Sequence, residues 1–146
     1  MRYIALLLAA WSLAAISQEK SPTSTPFDPT DFKVEVEHMI PLRWSPRPVS
    51  SGYSLAISND TVRAHLPYLG VAYIPDPDTN GLNFEKPIEQ LHTSRDRRGR
   101  PVLTFACRKG IVAYFFRLTV YPNGITDIRM TPSNADAIGY EGRLEE

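Results

Sequence analysis

The sequence predicts an all-β fold, a single antiparallel meander-type barrel of about eight to ten short strands. Three observations predict it. Short runs of alternating apolar and polar residues are separated by turn residues. Thirteen prolines are spread along the chain and break any long helix. No stretch of about ten residues or more carries a 3.6-residue apolar period with caps.

The elements follow in order. Phe32-Lys33-Val34-Glu35-Val36-Glu37-His38 alternates strictly, with Phe32, Val34 and Val36 on one face, so it reads as a half-buried strand. Tyr53–Ile57 and Thr61–Leu66 alternate on either side of Asn59-Asp60. Asn and Asp tolerate positive φ, so this pair predicts a tight hairpin. Val102–Cys107 is a further run. Ile111–Tyr121 is the longest, with Val112, Tyr114, Phe116, Leu118 and Val120 on one face. Pro122-Asn123-Gly124 turns the chain: Pro presets φ, and Asn-Gly supplies left-handed positions. Ile125–Met130 returns as the partner strand. Ala137–Leu144 closes the sheet, with Gly139 and Gly142 expected at bulges or tight contacts. No internal repeat is present.

The first 17 of the 146 residues read as a secretory signal. Arg2 precedes a nearly unbroken apolar run, and Ala15-Ile16-Ser17 places small residues where a signal peptidase cuts. The run is shorter than the roughly 20 residues of a membrane span, so no transmembrane segment is expected in the mature chain. No cysteine follows the run to take a lipid. The expected location is therefore periplasmic or secreted. Residues 18–31, rich in Pro, Ser and Thr, read as a flexible leader, and residues 32–146 as the domain. Cleavage removes one of 16 basic residues and none of the 16 acidic ones, which leaves a net charge of −1. A near-neutral exported domain has no field for nucleic acid. Cys107 is the single cysteine, so no intramolecular disulfide forms and stability falls to an apolar core.

Several constellations invite a chemical reading. Asp76-Pro77-Asp78-Thr79-Asn80-Gly81 begins like a calcium loop, but Pro87 stands where the bidentate Glu belongs. An ordinary Asx-rich loop explains it. Arg95-Asp96-Arg97-Arg98-Gly99-Arg100 reads as a solvated hairpin tip, since no aromatic residues interleave its arginines. His38, His65 and His92 fall in separate segments without metal-ligand spacing. Cys107 lies in a β run and reads as a buried small hydrophobe. No Gly-x-Ser-x-Gly elbow or phosphate-binding glycine loop occurs. The expectation is a non-enzyme with no metal and no cofactor. Tyr53, Tyr68, Tyr73, Phe84, Tyr114 and Phe116 are aromatics that a barrel interior would present to a small apolar ligand, or use simply to fill itself.

The segments Phe32–Glu37, Arg47–Val62, Leu66-Pro67-Tyr68-Leu69-Gly70-Val71-Ala72-Tyr73, Gly81–Phe84, Thr119–Gly124 and Tyr140-Glu141-Gly142, in this order and spacing, resemble the bacterial domain of unknown function 4251. The Leu-Pro-Tyr-x-Gly-x-Ala-Tyr block is the most specific part. The resemblance spans Phe32 to Leu144. It implies a lipocalin-like β-barrel in a secreted or lipid-anchored protein of Gram-negative bacteria. Members often carry a helix-like segment before the first strand, where this chain has its Pro-rich leader. The family has no established activity or functional residues, so the resemblance assigns none here. The resulting expectation is a non-enzymatic binding domain for a small amphipathic ligand or an envelope partner. The alternative is a structural or protein-interaction module with a fully packed barrel.

Overall fold

The structure is a computed structural model and describes residues 27–73 and 82–145. The expected signal sequence, residues 18–26 of the leader and the Asp76–Gly81 loop lie outside those residues. The described strands are β1 (Phe32–Pro41), β2 (Arg47–Pro48), β3 (Ser54–Ser58), β4 (Thr61–Leu66), β5 (Leu82–Pro87), β6 (Glu89–Arg95), β7 (Pro101–Lys109), β8 (Val112–Val120), β9 (Ile125–Pro132) and β10 (Ile138–Leu144). No helix occurs among the described residues. Nine strands form an antiparallel meander in the order β5-β4-β3-β1-β10-β9-β8-β7-β6, and β2 adds a two-residue rung to β1. The all-β barrel expected from alternation is the observed fold.

Closure depends on two features. The first and last strands pair, with Val34 opposite Leu144 and Pro41 opposite Ile138. At the other side only Ile88 separates β5 from β6. The stretch Leu82–Arg95 pairs β4 with its first half and β7 with its second. One nearly continuous strand thus bridges the seam, leaving the barrel nearly closed. Its kink lies at Pro87, which lacks a donor, and at Gln90, which takes a φ of 55° where the β6 register shifts.

Alternation carries through to burial. Val112, Tyr114, Phe116, Leu118 and Val120 all point inward, as their spacing predicts. All of them except Val120 meet Val34, Leu55, Ile57, Ile128 and Met130 in one core. Fully burying a side chain of this size contributes roughly 1.5–3 kcal/mol. Asn59 and Asp60 both take positive φ, 52° and 57°, and close the β3–β4 hairpin in two residues. In the β8–β9 turn only Gly124 is left-handed, with φ 85°. Asn123, expected to share that conformation, instead accepts the Ile125 N–H on Oδ1 at 3.1 Å. Gly142 sits at a bulge where β1 shifts register between Val36 and His38, and a Cβ there would collide with the Glu35 carbonyl. Gly139 does not share this role: a Cβ would rest at an ordinary 3.4 Å from Ile40 Cβ.

Candidate functional site

The six aromatic residues singled out from sequence fall into separate groups. Phe84, Tyr114 and Phe116 are buried in the core. Phe84 stacks on Tyr114 with centroids 5.1 Å apart, and Phe116 stacks on Phe105 at 4.9 Å. These rings fill the interior with one another. Tyr53 is half-buried and stacks on His65 at 5.1 Å. Tyr68 and Tyr73 belong to a different arrangement at one end of the barrel.

That end is where β1, β4 and β9 finish and β3, β5 and β10 begin. Its centre is the carboxylate of Asp136, buried in the β9–β10 connection. Arg43, from the β1–β2 connection, donates from Nε to Oδ2 at 2.7 Å and from Nη2 to Oδ1 at 3.3 Å. The Tyr73 hydroxyl donates a short hydrogen bond to Oδ1, and the Val71 N–H donates to Oδ2 at 3.1 Å. The backbone adds further ties. Asp136 N–H donates to Val71 O at 3.0 Å, Tyr73 N–H to Asn134 O at 2.6 Å, and the Tyr68 hydroxyl to Asp136 O at 2.9 Å. From below, the buried Tyr140 donates its hydroxyl to Pro67 O at 2.6 Å. Hydrogen bonds from Arg43 and Tyr73, joined by the Val71 N–H and the guanidinium charge, hold the Asp136 carboxyl well below the usual carboxylate range, against the upward push of its burial. The β1–β2 and β4–β5 connections are thereby latched to a side chain of the β9–β10 connection. Sequence reasoning found the Tyr68–Tyr73 block but not Arg43 or Asp136. Their 93-residue separation leaves no local pattern.

Residues 17–144 match the family model described as a domain of unknown function, DUF4251. The chain belongs to the DUF4251 family. Among solved structures it is similar to a DUF4251 family protein from Bacteroides eggerthii, with 15% identity, a TM-score of 0.58, and coverage of 79% of this chain and 78% of that one. That likeness shows a shared fold. No curated protein matches the chain. The block most specific to the resemblance, Leu66–Tyr73, is in this DUF4251 domain the strap that Asp136 and Tyr140 pin down.

The remaining sequence candidates are placed as follows. Cys107 is free and buried on β7, and burial, aided by the field of Glu89, pushes its thiol up to about 12. A thiol in that state is a poor nucleophile at neutral pH. His38, His65 and His92 stand on β1, β4 and β6, and no metal-holding cluster occurs among the described residues. The basic tip is organised by Asp96, whose Oδ1 accepts the Arg98 and Arg100 N–H groups at 2.9 Å each and whose Oδ2 accepts Arg100 Nε at 2.6 Å. Gly99 takes the left-handed turn position, with φ 76°. Arg100 then lies over the Tyr121 ring at 4.5 Å. Two of the tip's charges are thus occupied internally. Phe27, placed by composition in the leader, packs on Phe32 with centroids 5.1 Å apart.

Proposed function

We propose that this domain is a non-enzymatic scaffold of the cell envelope whose interior is structural and whose latched end meets a partner protein. One observation carries the reading: the inward rings of Phe84, Tyr114, Phe105 and Phe116 are buried in the core and stack on one another in pairs. The latch supplies the surface. Leu42 and Trp44 flank Arg43 and are 58% and 42% exposed, while Val71 and Tyr73 on the strap are 43% and 61% exposed. Arg43, Val71 and Tyr73 all bond Asp136, so both apolar pairs are carried on segments fixed to the same carboxylate. Large apolar side chains held rigidly in water suit protein recognition. The envelope location rests on the expected signal sequence.

Two measurements test this. Native mass spectrometry of protein purified from its own compartment gives the bare mass of the mature chain; a stoichiometric apolar ligand would sink the packed-scaffold reading. Photo-crosslinkable residues at Trp44 and Tyr73, introduced in intact cells, give a discrete protein adduct that the same residue at Asn123, in the turn at the far end, does not. Equal labelling at all three positions refutes the assignment of the partner to the latched end.

A further inference from the structure

The outer wall of the barrel carries a second feature, independent of the latch. Four strands align one row of directly opposed residues: His92 on β6, Thr104 on β7, Arg117 on β8 and Arg129 on β9. The neighbouring row is Glu89, Ala106, Phe115 and Thr131, with Glu89 paired to Arg108 at 3.4 Å. Thr104 and Ala106 are small and form a floor, while larger side chains stand on either side. Apart from Glu89, these residues line a groove of about 340 Å³ together with Gln90 and the buried Phe105 and Phe116.

Two like charges meet in this groove. Arg117 and Arg129 are direct cross-strand partners, and like charges so placed repel and weaken a sheet. Neither guanidinium makes a hydrogen bond or ion pair among the described residues; Arg43, Arg63, Arg100, Arg108 and Arg143 have acidic partners, while Arg47, Arg95, Arg97 and Arg98 have none there. The nearest acid along β9 is Asp127, whose pKa burial and the adjacent Glu141 raise by more than the charge of Arg129 lowers it. Beside the paired guanidiniums stands Phe115, 51% exposed on a strand whose inward neighbours are all buried. Two guanidinium forks match the oxygens of a tetrahedral dianion, and an aromatic face beside them matches a flat apolar body.

We propose that this groove binds a small soluble phosphate monoester with an aromatic or apolar moiety. The phosphate bridges Arg117 and Arg129, Thr104 donates its hydroxyl, and the apolar moiety packs on Phe115. A membrane surface fits less well. The chain carries no net positive charge, and Asp127 and Glu141 face outward one row beyond Arg129, where they would oppose an anionic bilayer.

Phenyl phosphate is the probe, titrated into the mature protein and followed by amide chemical shifts. Saturable shifts are expected at Thr104, Phe115, Arg117, Arg129 and Thr131, with millimolar affinity. Inorganic phosphate binds the same residues more weakly, because it leaves Phe115 uncovered. The double variant R117Q/R129Q weakens phenyl phosphate by at least about tenfold, and F115S weakens it several-fold while leaving inorganic phosphate unchanged. Both changes are on exposed side chains, and unchanged melting of each variant confirms that it is folded. No saturation, unchanged affinity in the double variant, or shifts confined to the Arg95–Arg100 tip would overturn the assignment. So would binding to vesicles of equal phosphatidylcholine and phosphatidylglycerol without response to phenyl phosphate, which would transfer the site to a bilayer. None of these results bears on the packed interior, which the native mass tests separately.

Discussion

Inside the barrel, cohesion is spread over many apolar side chains on nine strands; at the latched end it converges on the single carboxylate of Asp136. The two regions use the same chain differently. The interior needs only that every second residue be apolar, so each contact has neighbours that share its loss. The latch joins three connections through charged and polar groups that have few substitutes. Damage to the interior should therefore lower the stability of the whole domain, whereas damage to the latch should open one end.

The largest expected effect lies in the interior. Phe116→Ala removes a buried ring that stacks on Phe105, and such truncations cost roughly 3–5 kcal/mol. Urea unfolding should show this loss as one cooperative transition, with the methyl resonances of Leu55, Ile57, Leu118 and Ile128 and the far-ultraviolet circular dichroism moving together. Separate transitions would mean that the interior is not one unit, and the contrast with the latch would fail.

Asp136→Asn comes next. The amide puts its NH2 where Arg43 or Tyr73 and Val71 donate, so donor faces donor at a buried position. The melting temperature at pH 7 should fall by on the order of 10 °C. Hydrogen exchange should speed up sharply at Val71 and Tyr73 while β7–β9 keeps its protection. Uniform loss of protection would show that the latch is part of the core rather than a strap across its end. Acid should reproduce the variant's effect. The Asp136 carboxyl is held below its unfolded value, so its contribution is complete above about pH 4 and is lost as pH falls through the lower folded value. Wild-type stability should decline over that acidic range, and Asp136→Asn should flatten the decline.

The contrast also explains what could be read from sequence. The strands from Phe32, Tyr53, Thr61, Ile111 and Ile125 were legible because one buried face imposes a period of two, and the one from Val102 because burial on both faces makes it a mostly apolar run. β6 was not, because it is exposed along most of its length and its residues carry no apolar alternation. β5 was hidden because only Leu82 and Phe84 mark its buried face before the alternation ends at Pro87. β1 runs on to Pro41 because the bulge after Val36 changes which residues face inward, so the alternation that marks its first half is broken. At the latch, Tyr68 and Tyr73 stood out in sequence as aromatic residues, but their role depends on where their hydroxyls point. Asp136 sits in a polar connection, Ser133-Asn134-Ala135-Asp136, that looks like any surface turn. Only the closure of β1 against β10 brings Arg43 to it. The paired arginines on the outer wall were illegible for the same reason. Arg117 and Arg129 become neighbours only through the β8–β9 register.

Tyr73→Phe is the smallest change and separates the members of the latch from one another. The ring stays in place, and because it is largely exposed little packing is at risk. Only the hydroxyl leaves, and Asp136 Oδ1 still faces Arg43 Nη2 while Oδ2 keeps Arg43 Nε and the Val71 N–H. The melting temperature at pH 7 should therefore fall by only about 1–3 °C. The acid response should move further than the stability does. Tyr73 ranks just behind Arg43 among the groups that hold the carboxyl down, so without its hydroxyl Asp136 takes up its proton at a higher pH. Carboxyl-carbon resonances followed on acidification would show the midpoint shifted upward in Tyr73→Phe relative to wild type. A midpoint that stayed put would assign the depression to Arg43 alone. A drop in melting temperature as large as that of Asp136→Asn would mean that the hydroxyl, and not the guanidinium fork, is what ties the strap to the barrel.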